Sequence, residues 1–211
     1  MVKKTVYFVG SSHAKRLCRE AYNVEKIKNN YYVRDFTRPG SLFENLVWPE
    51  RSTLDKDDIL IFQSFGNNIL QKHIEKVEGK IHLTKFVPNK FSYLEKIFIQ
   101  LKNKIKDLPC KVYIFDNIYR HLHCCKKHFY KGLVRFQQLV NIKLHKILKT
   151  EPNITVLDHR RFLGFNFRKI WKISKYSKIL SPDGVHLKSM LYNKMVLIFS
   201  EKFCHWTPAV N

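Results

Sequence analysis

Thr5-Val6-Tyr7-Phe8-Val9 runs directly into Gly10-Ser11-Ser12-His13, and from Ala14 to Ala21 the apolar residues fall three and four apart. The first run has the continuous apolar, β-rich character of a buried strand, and the last has the period of a helix, so the stretch reads as strand, turn, helix. The same grammar recurs along the chain. Tyr31 to Phe36, Ile59 to Gln63, Lys111 to Phe115 and Ile154 to Leu157 read as four more strands. Leu42 to Val47, Asn67 to Ile74, Phe91 to Ile105, Lys131 to Leu148 and Met190 to Cys204 carry helical spacing. Such alternation predicts an α/β three-layer sandwich, with a five-stranded parallel sheet of flavodoxin-like winding covered on both faces. Within the longest helix, Leu133, Phe136, Leu139, Val140, Leu144 and Ile147 form the expected core stripe. Without a repeat, a Gly/Ser linker or a low-complexity block, residues 1–211 read as a single domain. Glu78 to Lys90 and Arg160 to Ser181 read as longer loops.

Apolar residues make up 45% of the 211 positions, enough to build a sizeable core and to exclude a disordered tail. Lysine and arginine number 39 against 17 carboxylates, a net charge of +22 that makes polyanions such as RNA, DNA or acidic lipid plausible partners. No run approaches the length of a transmembrane segment, and the apolar run after the N-terminus is too short for a signal peptide. The expectation is a soluble intracellular protein, cytoplasmic or nuclear. The five cysteines are odd in number and irregularly spaced, which fits a reducing compartment rather than a disulfide framework.

Ser12 falls at the carboxyl edge of the first strand and beside a helix N-terminus, where open α/β sheets bind ligands and where free amides can stabilise an oxyanion. Arg38-Pro39-Gly40-Ser41 follows the second strand, and the Gly40 N–H can approach a substrate without Cβ interference; a plain tight turn is the structural alternative. Phe65-Gly66-Asn67-Asn68 follows the third strand and brings the Asn68 carboxamide to the same edge, with helix capping as its alternative role. Near the C-terminus, Ser181-Pro182-Asp183-Gly184-Val185-His186-Leu187 precedes the last helix. An aspartate three residues before a histidine can fix the imidazole tautomer while the other ring nitrogen faces a nucleophile.

In this order the blocks resemble the SGNH hydrolase family, also called GDSL-like esterases, over nearly the whole chain. The resemblance implies Ser12 as nucleophile, His186 as base and Asp183 as its orienter. It also implies an oxyanion hole formed by the N–H groups of Ser12 and Gly40 and the Asn68 side chain. Two positions depart from the family pattern: Ser11 stands where the first block has aspartate, and Ile69 where the third does. The chain is also similar, in its basic charge, to the RNA-binding Oskar-type C-terminal domains, which share this scaffold but lack its catalytic residues, and to retroelement-encoded esterases of the same family.

Two further constellations stand out. Asp116 to His128 concentrates histidines with Cys124 and Cys125, but adjacent cysteines do not make a C-x-x-C knuckle, and no metal or other cofactor is expected. From Arg160 to Lys172, Arg160, Arg161, Arg168, Lys169 and Lys172 interleave with Phe162, Phe165 and Trp171, the mixture that contacts phosphates while stacking on unpaired bases. The alternative is buried aromatic anchors with snorkelling cations between them. Two functions result: an SGNH-type serine esterase acting on an unidentified ester, and a non-catalytic RNA-binding module on the same scaffold.

Overall fold

In the computed structural model, residues 4–70, 74–77, 80–83, 91–118, 127–163, 179–183 and 185–204 are described. Five strands form a parallel sheet: β1 (Lys4–Gly10), β2 (Tyr31–Thr37), β3 (Ile59–Gln63), β6 (Lys111–Phe115) and β7 (Ile154–Leu157). Their order across the sheet is β2-β1-β3-β6-β7. All five expected strands are present, with ends moved by at most one residue. The registers run Lys4 to Tyr31, Val6 to Ile59, Ile59 to Lys111 and Val112 to Ile154.

Strand periodicity sends alternate side chains to opposite layers. Val6 and Phe8 of β1, Ile61 of β3 and Phe115 of β6 pack with Leu17, Cys18 and Ala21 of α1 (Ser12–Ala21) and with Met195, Val196 and Phe199 of α7 (Ser189–Phe203). Tyr7, Val9, Leu60, Phe62 and Ile114 pack on the other face. Their partners are Leu94, Phe98 and Leu101 of α4 (Phe91–Ile105) and Val140 and Leu144 of α5 (Lys127–Leu148). Each such Leu, Ile or Phe contributes about 1.5–3 kcal/mol on burial, so the two apolar layers hold the sheet between them. The three layers are those the alternation predicts.

Three local expectations are corrected, and one short helix has no expectation behind it. Leu42 to Val47 is not a helix but a single 3₁₀ turn, Phe43–Asn45, whose Phe43 and Leu46 are drawn into the core beside Phe62. The helix expected from Asn67 to Ile74 is short, α3 (Gly66–Leu70), and Ile74 starts β4 (Ile74–Val77), which pairs antiparallel with β5 (Lys80–Leu83). A further helix, α2 (Glu25–Asn30), was not legible because its six residues supply only Ile27 to the core. On α5, Phe136, Val140, Leu144 and Leu148 make the buried stripe, while Leu139 faces solvent at 48% exposure and the polar Gln137 and Asn141 are buried. The side chain of Leu133 lies outside the described residues.

The sheet order reverses direction between β1 and β3, so the crevice outside their carboxyl ends is the topological switch point where this class of sheet binds ligands. Gly10 closes β1 there at a φ of +142°, and a Cβ on it would sit 1.9 Å from the Gln63 carbonyl oxygen. Only glycine lets β1 and β3 approach this closely. No helix among the described residues is long and apolar enough to cross a membrane.

Candidate active site

Ser12 is the first residue of α1, and its half-buried side chain sits at the end of β1. As the first residue of α1, Ser12 has an N–H with no carbonyl partner one turn back in its own helix. His186 Nε2 lies 2.9 Å from Ser12 Oγ across 174 residues of chain, and His186 Nδ1 lies 2.6 Å from Asp183 Oδ2. The other oxygen of Asp183 accepts from the N–H groups of Val185 and His186, each at 2.9 Å. Burial pushes the Asp183 carboxyl up, but these hydrogen bonds outweigh it and hold the group below its ordinary value. An ionised carboxylate can only accept, so Nδ1 carries the imidazole proton and Nε2 is left to accept from the Ser12 hydroxyl.

The loop bearing both groups is tied down on either side. Ser181 N–H donates to His186 O at 2.7 Å, Lys188 N–H donates to Ile179 O at 2.9 Å, and Leu180 and Leu187 form an antiparallel bridge. Leu187 N–H donates to Tyr192 Oη at 3.2 Å. Tyr192 Oη is 2.5 Å from Nδ1 of His13, whose ring centroid is 5.2 Å from that of His186. His13 lies next to the serine, on the first turn of α1. Its place beside His186 had no signal in the sequence, because Tyr192, which links them, is 179 positions away.

The turn after β2 is stitched to the same edge by Arg38 N–H donating to Gly10 O at 2.8 Å, and Gly40 follows, exposed, at a φ of +81°. After β3, Asn68 is buried and its carboxamide is engaged. Oδ1 accepts from Phe43 N–H at 3.0 Å, and Nδ2 donates to Glu44 Oε2 at 3.1 Å and faces Tyr93 Oη at 3.3 Å. The neighbouring Asn67, half-buried, directs Nδ2 to Ser41 O at 3.1 Å, beside Gly40. Phe65, fully buried among Phe43, Phe62 and Phe98, holds a φ of +77°. For an aromatic residue this is a strained left-handed conformation, retained where the strand must turn into α3.

A second polar cluster lies at the ends of β6 and β7. Asp116, fully buried, accepts from His159 N–H at 3.0 Å and meets His159 Nδ1 at 2.5 Å; its other oxygen accepts from Asn141 Nδ2 at 3.0 Å and lies 3.7 Å from His145 Nε2. Burial raises this carboxyl, but the charge and hydrogen bonds of His159, with those of His145, bring it down to about 2. Donor atoms of Asp116, Asp158 and His159 lie within 4.8 Å of one another, the one metal-compatible grouping among the described residues. Asp116 already spends its oxygens on protein N–H groups, so these residues act first as a clamp between strand ends and α5.

Of the cationic segment, Arg160 and Arg161 lie on the short helix α6 (His159–Phe162), their side chains outside the described residues. Arg168, Lys169 and Lys172, like Cys124 and Cys125, also lie outside them. Phe162 packs inward, edge-on to Phe115 at 5.4 Å and against Phe203, as an anchor does.

No family model matches the sequence, and no curated protein matches it. Among solved structures, the chain is similar to a member of the lipolytic protein G-D-S-L family from Veillonella parvula, with a TM-score of 0.61, 15% identity, and 97% of this chain and 100% of that one covered. It is also similar to a GDSL-like lipase from Bacteroides thetaiotaomicron (TM-score 0.56, 14% identity, 94% and 86% covered) and to the acetyl xylan esterase AlAXEase (0.56, 16%, 95% and 99%). At these identities the likeness defines the fold, which is that of the SGNH or GDSL-like hydrolases.

Proposed function

We propose that this protein is a serine ester hydrolase of the SGNH superfamily, with Ser12 as nucleophile, His186 as general base and Asp183 as its orienter. The observation that carries the reading is the unbroken relay Ser12 Oγ, His186 Nε2, His186 Nδ1, Asp183 Oδ2, with links of 2.9 and 2.6 Å at the sheet's switch point. In the reaction, His186 takes the Ser12 proton as Oγ attacks the ester carbonyl, then gives it to the departing alkoxide. Water, deprotonated by the same imidazole, releases the acyl group. The developing oxyanion is held by the N–H groups of Ser12 and Gly40 and by a carboxamide following β3. The resemblance gives this role to Asn68, whose Oδ1 is fixed by Phe43 N–H and whose Nδ2 meets Glu44 Oε2 and Tyr93 Oη, while the neighbouring Asn67 directs its own Nδ2 to Ser41 O.

The test is labelling by a fluorophosphonate probe with hydrolysis of a short nitrophenyl ester, both lost in Ser12→Ala. A folded wild type that does neither overturns the proposal. Cys18, Cys110 and Cys204 are free and buried, and burial pushes their thiols up to about 12, 11 and 11, which makes them poor nucleophiles and leaves Ser12 as the candidate nucleophile.

The charge of +22 supports a second, compatible activity, binding of RNA or another polyanion away from the cleft. Affinity for a single-stranded RNA should then fall steeply with salt, and a salt-independent or absent shift removes this reading. A purely non-catalytic module would have no need of an intact relay.

A further inference from the structure

We propose that Tyr192 is a positioning residue for the base and nucleophile, its hydroxyl stapling the residue after the serine, His13, to the residue after the base, Leu187. The inference rests on the hydrolase reading and adds to it a residue of α7 that touches neither substrate nor reacting atoms.

Tyr192 is fully buried and packs in the apolar layer under α1 and α7. Its ring alone would satisfy that packing, yet its hydroxyl carries two bonds, 2.5 Å to His13 Nδ1 and 3.2 Å from Leu187 N–H. A backbone N–H can only donate, so the oxygen accepts from Leu187. Toward His13 Nδ1 the hydroxyl can donate its hydrogen or accept with its second lone pair, so either tautomer of His13 closes the bond. One oxygen atom thereby fixes α1 and the histidine loop to the same point of α7. On either side of that point, one residue away in sequence, lie Ser12 and His186, 2.9 Å apart. The His13 ring fills the space beside His186, tilted by 50° with centroids 5.2 Å apart, and limits how far the base can swing from the serine. Asp183 within the loop and Ser12 on α1 also hold His186, and the Leu187–Tyr192 bond ties the loop to the buried core of α7.

The experiment is a double-mutant cycle on the full chain with Tyr192→Phe and His13→Leu, read as kcat and KM for a nitrophenyl ester. A misplacement approaching 1 Å costs up to about 10²-fold in rate. Each single variant should therefore lose roughly tenfold or more in kcat with KM within about twofold, and the double variant should lose no more than the worse single. His13→Asn, which keeps an acceptor near the Nδ1 position, should recover most of the rate. Unchanged kcat in folded Tyr192→Phe, or additive losses in the double variant, overturns the staple.

A second readout needs no turnover. The proton on His186 Nδ1, shared with Asp183 at 2.6 Å, should give a far-downfield NMR signal that broadens or disappears in Tyr192→Phe. If the wild type shows that signal but hydrolyses no ester, the hydrolase reading fails while the staple is still tested. If Tyr192→Phe leaves the signal unchanged, the staple fails whatever the activity. Should Tyr192→Phe not fold, His13→Leu against His13→Asn provides the same comparison.

Discussion

Replacing Asp183 by asparagine separates orientation of the base from folding of the loop that carries it. The asparagine Oδ1 can keep both backbone bonds, from Val185 N–H and His186 N–H at 2.9 Å, so the loop retains its local anchor. The nitrogen that replaces Oδ2 can only donate. Facing Nδ1 at 2.6 Å, it forces the imidazole into the other tautomer, with its proton on Nε2 pointing at Ser12 Oγ. The nucleophile then meets a donor where it needs an acceptor. The variant also loses the attraction between the carboxylate and the imidazolium formed during attack. Asp183 is 42% exposed, so solvent screens that attraction. With an effective dielectric of about 20 to 40 and a charge separation of about 4 Å, the loss is roughly 2 to 4 kcal/mol. That is about 30- to 1000-fold in kcat, before the cost of the wrong tautomer is added. The assay is ester hydrolysis and fluorophosphonate labelling rate at neutral pH, with thermal melting recorded alongside. An Asp183→Asn protein that melts with the wild type and keeps a third or more of its rate would refute the assignment of Asp183 as orienter.

The two adjacent asparagines should separate in the same assay. Asn68→Ala should lower kcat by about 10² to 10³ and also lower the melting temperature, since it frees Phe43 N–H and Glu44, whereas Asn67→Ala should change kcat little; the reverse pattern moves the oxyanion role to Asn67. Among the described residues Gln63, 1% exposed, has no hydrogen-bond partner for either amide atom, so Gln63→Met should raise stability by roughly 1–3 kcal/mol in urea unfolding, and a clear loss would refute the account. Asp116 titrates near 2 when folded and near 4 when unfolded, so it stabilises above pH 4 and that share, on the order of 2 kcal/mol, is lost as pH falls from 4 toward 2. Asp116→Asn should be less stable at pH 7 and show a shallower acid slope; an unchanged slope would disconnect Asp116 from acid unfolding.

Five strands and the parallel α/β class were legible from the chain alone, because each rests on patterns a few residues long; Ser12 was joined to Asp183 and His186 by a family resemblance, and the fold brings the three within hydrogen-bond reach. Short continuous β-rich apolar runs bounded by turn residues mark strands, and an Asp three residues before a His is a local arrangement within one loop. Other features needed the folded chain. Local spacing on α5 treats Leu139 as core and Asn141 as surface, but Asp116, 25 positions away, draws Asn141 inward and turns Leu139 out. The engagement of the Asn68 carboxamide by Phe43, Glu44 and Tyr93, from separate elements, likewise has no signal in local spacing. The staple between His13 and Leu187 through Tyr192 has no trace in any window of sequence. Periodicity records which face of an element is apolar; which polar groups meet is decided by hydrogen bonds between residues far apart in the chain, and these exist only once the layers have packed.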